Sequence, residues 1–519
     1  MTTAGRPPPG RSPAVPRRLL LVGAFGASCA AALSRLPTDP AGVRAIAGGS
    51  LAAPGSGEAV DALPTPPPGE TYGVVLRGGR VVDPETGLDV VADVGITGPT
   101  ITAISTSALE GTVVVEADGL VVAPGFIDIL SYDPNPYGEV FKVADGVTTN
   151  LCMHGVNSEP APWFARWEDK PTIVHRGAAF DHAWARAQLG VDIYDPATPA
   201  QVEQLGGIAA AAIAGGFLGV HLELEYTPGA AADEVLAMGR VAAAAGVGAY
   251  FHARHADPHP PGTNADAIDE VLSVARETGC SVHVEHLTST GGTKTMDASL
   301  GAMQAARDEG LDVSGCLYPY DFWAAYARSA RFDEGWQDRF GITYDDLVAP
   351  GTGRPLTRAA FVEARRSNTL LAASAIPERD VRTGLRSDLL MVGSDAILEP
   401  GDNNHPRAAG TFARILGRYV REEQVVDLHT ALAKMTLWPA RRVQGAAPAM
   451  ARKGRLQVGA DADVTIFDPT TIEDRATVAD PAQASVGVSW VLVDGAIAKD
   501  PDGVREDVRV GRSIRTGDV

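Results

Sequence analysis

Three side chains able to bind a metal or move a proton fall at the ends of three apolar, strand-like runs. Val247-Gly248-Ala249-Tyr250-Phe251 ends in His252, and Ser281-Val282-His283-Val284-Glu285 ends in His286. Leu389-Leu390-Met391-Val392-Gly393-Ser394 ends in Asp395. Imidazoles are ligands for ions such as zinc, and a carboxylate beside an ion-bound water can relay its proton. Residues two apart on a strand share a face. With His286 pointing into a site, Val284 and Val282 share its direction, and His283 and Glu285 are expected to face outward.

The elements that must carry these residues alternate in type. Strand candidates lie near 126–130, 146–152, 171–175, 217–223, 247–252, 281–286, 312–317 and 389–394. Alanine-rich helical stretches such as 231–245, 265–278 and 298–308 separate several of them. This pattern predicts an α/β fold with a (β/α)8 TIM barrel over residues 124–444, a fold whose sites lie at the C-terminal ends of the strands. An insertion at 326–388 is expected to form a lid. Short alternating runs broken by turns at 71–123, and again at 445–519, predict a small β-sandwich domain built from both chain ends.

The chain has 519 residues, 45% hydrophobic and 21% charged, which is ordinary for a globular enzyme. A formal net charge of −20 argues against nucleic acid and anionic membrane surfaces as partners. Arg17-Arg18 followed by the apolar run 19–33 reads as an export signal over residues 1–34, of twin-arginine type, and predicts an exported protein. Residues 35–70, rich in Pro, Gly and Ala, read as a linker. Outside the signal, Cys152, Cys280 and Cys316 are odd in number and are expected to be buried thiols.

The text from about residue 74 to 481 resembles the N-acyl-D-amino-acid deacylase (D-aminoacylase) branch of the amidohydrolase superfamily. The matching residues include Gly146-Val147-Thr148-Thr149, Leu224-Glu225-Tyr226-Thr227-Pro228-Gly229, His252-Ala253-Arg254 and Glu285-His286-Leu287. Tyr318-Pro319-Tyr320, Gly393-Ser394-Asp395, His405-Pro406-Arg407 and Lys434-Met435-Thr436 follow in order. One motif is altered. Pro124-Gly125-Phe126-Ile127-Asp128 leads into Leu130 and Tyr132, where such enzymes carry a His-x-His pair.

The resemblance implies a zinc-dependent amidohydrolase that cleaves the amide bond of a small N-acyl amino acid, a substrate carrying a carboxylate. It places His252 and His286 on the metal and makes Asp395 the acid/base. One zinc ion is expected, because the lost pair serves the second position. The third ligand stays open among His154, Glu223 and Cys152. Arg407 is implied to grip the substrate carboxylate, with Tyr318, Tyr320 and Arg254 nearby. Thr288 stands where the family has a lysine and Ala256 where it has an acid, so the substrate pocket is expected to be rebuilt. Two alternatives remain on the same residues: a catalytically silent binding barrel, and a cyclic amidase or peptidase.

Overall fold

The computed structural model describes Leu63 and residues 69–518 other than 261, 402 and 403. The expected export signal and, but for Leu63, Gly69 and Glu70, the linker lie outside the described residues. Among the described residues no helix is long and apolar enough to cross a membrane.

Eight parallel strands form one sheet in sequential order: Phe126–Asp128, Val147–Val156, His175–Asp181, Gly219–Glu223, Gly248–His252, Val282–Val284, Val313–Leu317 and Leu390–Val392. The first and eighth strands meet through the segments that follow them. The Asp395 amide donates to the Leu130 carbonyl at 2.7 Å, and the Ser394 amide donates to Asp128 Oδ1 at 2.8 Å. Lys142 Nζ holds Asp128 from behind at 2.5 Å, with both side chains buried. The barrel is therefore nearly closed, as the alternating pattern predicts.

The third strand departs from expectation. It runs over His175–Asp181 and not 171–175. Gly177, Ala178 and Ala179 carry little intrinsic strand preference, whereas Ile173-Val174 carries much, so local propensity pointed upstream of the true ladder. Helices Ala232–Ala245, Asn264–Thr278 and Met296–Asp308 fill the expected gaps. The second of these begins at a Thr263/Asp266 capping box and ends at Gly279, which has φ +69°.

Ile127, Ile129, Leu130, Leu151, Met153, Tyr250, Cys316 and Met391 pack inside the barrel as a plug beneath its mouth. A second set of apolar residues, including Val282, Val284, Ala249 and Phe251, faces the helices. At the insertion, Trp323–Tyr326, Leu347–Val348 and Leu370–Ala373 pair as a separate three-stranded antiparallel sheet. Helix Glu378–Arg386 then returns to the barrel against the seventh and eighth strands.

Among the described residues, the segments before and after the barrel share a nine-stranded sheet. Val121–Pro124 is the junction, pairing in parallel with Thr71–Asp83 and antiparallel with Val464–Phe467. Past this sheet the chain reaches the barrel, where the Ile514 amide donates to the Arg176 carbonyl at 2.7 Å.

Candidate active site

The fifth strand alternates as expected, with Tyr250 inside the barrel and His252 above it, 2% exposed. The sixth does not. Val282 and Val284 face the helices, and Glu285 points inward, contrary to the simple alternation from His286. His286 adopts φ +28°, a conformation that side chains with a Cβ seldom take. That turn brings Glu285 and His286, adjacent in sequence, to the same cavity. Asp395, just past the eighth strand, also has a positive φ, +53°. Such backbone is held only where surrounding contacts over-determine it.

The second strand bulges between Cys152 and Val156, with Gly155 at φ +79°. A Cβ on Gly155 would meet the Asp181 Cβ at 2.7 Å, so only glycine fits. The bulge separates two residues expected to share a face. Cys152 packs toward the helices, where its thiol donates to the Tyr132 carbonyl at 3.1 Å, and it is not part of the ligand cluster. His154 turns into the mouth. Donor atoms of His154, His252 and His286 all lie within 4.8 Å of one another, and all three residues are buried.

Carboxylates surround these imidazoles. His154 contacts Glu285 Oε2 through Nδ1 at 2.8 Å and Glu223 Oε1 through Nε2 at 3.0 Å. Burial pushes the His154 imidazole down, but the two glutamates outweigh it and hold it well above its ordinary range. Glu223 is a neighbour of the cluster and stands outside the trio. Burial pushes its carboxyl up, but His154, together with His221 and His252, outweighs this and brings it down to about 2. Glu285 also accepts from His221 at 3.1 Å. His252 Nε2 meets Glu225 Oε2 at 2.9 Å, and Arg331 from the insertion meets the same oxygen at 3.1 Å. Burial holds His286 down, to about 3, and so neutral. Nδ1 of His252 and of His286 are buried with no hydrogen-bond partner among the described residues. Three clustered imidazoles, two of them with an unpartnered nitrogen and the third held by carboxylates, fit a divalent ion of zinc type.

Asp395 is held on both oxygens. Tyr132 donates to Oδ1 at 3.1 Å and Arg407 Nη2 to Oδ2 at 2.9 Å, while His286 Nε2 lies 3.9 Å from Oδ2. Burial pushes the Asp395 carboxyl up, but Arg407 and the histidines outweigh it and hold it below the usual carboxylate range. Arg407 also donates through Nε to the Asp395 carbonyl at 3.0 Å and stacks over Tyr318 at 4.5 Å. Its Nη1 is buried without a hydrogen-bond partner among the described residues.

Two residues expected at the substrate lie elsewhere. Arg254 forms a fork with Glu270 and donates to the carbonyls of Pro228 and Ala230, tying loop to helix. Tyr320 lies behind His405, with Arg414 over its ring at 4.7 Å. Three positions that the sequence reading did not assign belong to the site: Glu225, Glu285 and Arg331. The first two were legible as acidic residues within two positions of a strand end. The third sits in the insertion, where no spacing connects it to a histidine.

The mouth opens into a cavity of about 620 Å³. His154, Glu223, Asp395 and Arg407 form its polar floor, and Ala324, Ala325 and Tyr326, on the strand Trp323–Tyr326, form an apolar wall.

The sequence matches the amidohydrolase family over residues 319–498. It is 34% identical over 474 residues to the N-acyl-D-glutamate deacylase of Alcaligenes xylosoxydans xylosoxydans, spanning 82% of this chain and 93% of that protein. The D-aminoacylase of the same organism is 29% identical, over 82% and 94%. The crystal structure of N-acyl-D-glutamate deacylase from Bordetella bronchiseptica, complexed with zinc and a phosphonate mimic of the tetrahedral intermediate, superposes with a TM-score of 0.74. The two are 29% identical, covering 86% of this chain and all of that one. The chain belongs to the N-acyl-D-amino-acid deacylase family of amidohydrolases.

Proposed function

We propose that this protein hydrolyses the amide bond of small N-acyl amino acids with one zinc ion held by His154, His252 and His286. The observation that carries this reading is the buried trio of imidazoles, with donor atoms within 4.8 Å of one another, beside Asp395. When bound, the ion supplies Lewis acidity, which makes water a usable nucleophile near neutral pH. Asp395, ionised and fixed by Tyr132 and Arg407, takes the proton from the attacking water and returns it to the leaving nitrogen. The Nη1 of Arg407 receives the substrate carboxylate, and the apolar wall of Ala324, Ala325 and Tyr326 excludes water from one side. The zinc-bound relative supports the choice of metal. Arg17-Arg18 and the apolar run after it support export of the chain, which sequencing the N-terminus of the mature protein checks.

Elemental analysis of the purified protein, paired with hydrolysis of a panel of N-acyl D- and L-amino acids, tests the assignment. About one equivalent of zinc and chelator-sensitive turnover are expected. A protein that binds no zinc, nickel or manganese and hydrolyses nothing is a silent barrel.

A further inference from the structure

We propose that Tyr132 is a positioning residue for Asp395, and that the segment carrying Leu130 and Tyr132 replaces a second metal position with a fixed hydrogen-bond donor. The inference rests on the acid/base role given to Asp395 above.

The segment after the first strand holds Asp395 twice. The Leu130 carbonyl accepts from the Asp395 amide at 2.7 Å, fixing its left-handed backbone. Two residues on, the Tyr132 hydroxyl donates to Oδ1 at 3.1 Å. With Arg407 on Oδ2, the carboxylate plane is set from both sides, and Oδ2 faces His286. Tyr132 is itself anchored, since its carbonyl accepts from Asn150 Nδ2 at 3.2 Å and from the Cys152 thiol at 3.1 Å. This is a place in the fold for Cys152: it secures Tyr132 and leaves the ligand role to His154.

The chemistry of the two side chains excludes a second ion here. Leu130 is 1% exposed inside the barrel, packed with Leu151, Met153, Cys316 and Met391, and offers no donor. Tyr132 stands with its ring edge-on to His154, centroids 5.0 Å apart, in the cleft itself. A neutral phenol donates a hydrogen bond to a carboxylate where a cation would otherwise bridge to it. Tyr132 thus orients Asp395 without adding charge to the site.

Tyr132→Phe removes the hydroxyl and keeps the ring. The expected result is kcat reduced roughly tenfold with KM within about twofold, matching loss of one hydrogen bond to a charged group. Zinc content after equilibration with excess ion and removal of unbound metal stays at one equivalent in both proteins. In metal-free protein, the Tyr132→Phe shift in unfolding midpoint disappears in an Asp395→Ala background, because the partner is gone. Unchanged kcat, a second tightly held equivalent in the parent protein, or an undiminished midpoint shift in the Asp395→Ala background would each overturn the proposal. If the parent protein hydrolyses nothing, the deacylase reading fails, while metal content and the unfolding cycle still decide on Tyr132.

Discussion

Glu285 accepts a hydrogen bond from His154 at 2.8 Å, reaching across the barrel mouth from the sixth strand to the second. A carboxylate behind a ligating imidazole fixes its tautomer and raises its basicity. Glu285→Gln is therefore expected to weaken zinc binding by roughly 10- to 100-fold while the protein stays folded. Competition with a chromogenic chelator measures this, and unchanged affinity would remove Glu285 from the site.

Cys152 and His154 separate cleanly by metal content. His154→Ala should lose the ion, whereas Cys152→Ala should keep about one equivalent, since the thiol faces the helices and the Tyr132 carbonyl. A metal-free Cys152→Ala protein would restore the thiol as a ligand.

Arg331 neutralises Glu225 from the insertion while Glu225 supports His252. Both are buried, with Arg331 stacked on Trp323 at 4.0 Å. Arg331→Met strands a buried carboxylate, and a loss of roughly 3–5 kcal/mol is expected in denaturant unfolding. Adding Glu225→Gln should recover part of it. A loss that the second change leaves untouched would mean that packing on Trp323, and not charge, is what Arg331 supplies.

The pH dependence follows from Asp395. Its carboxyl lies below the ordinary range, because Arg407 and the histidines outweigh the effect of burial. A depressed value keeps the base ionised to lower pH, and a bound divalent ion acts in the same direction. The acid limb of kcat should therefore lie below the ordinary carboxylate range. Arg407→Gln removes the foremost lowering influence and should move the limb upward. A pH–rate profile in which the limb does not move would sever Arg407 from Asp395.

The barrel was legible because eight apolar runs alternate with amphipathic helices, a pattern that depends on burial alone. The third strand was misplaced because its ladder is built from Gly177, Ala178 and Ala179, which carry no strand signal of their own. His252 and Asp395 were legible from position, as polar residues closing apolar runs. Arg254 was misread, since a guanidinium two residues after a ligand can turn to a helix carboxylate as readily as to a substrate. Tyr320 packs on His405 and under Arg414, whereas Tyr318 lies under Arg407, a difference that spacing alone does not record.

By itself the sequence determined the barrel, the terminal sheet, the family, and the residues ending strands five, six and eight. Only the tertiary structure turned His154 into the mouth and Cys152 toward the helices, turned Glu285 inward and brought Arg331 to Glu225. The physical reason is local backbone geometry. A bulge at Gly155 and left-handed turns at His286 and Asp395 reverse which face a side chain takes, and a period-two pattern records no such reversal. Contacts such as Tyr132 with Asp395, far apart along the chain, exist only once the first and eighth strands are brought side by side.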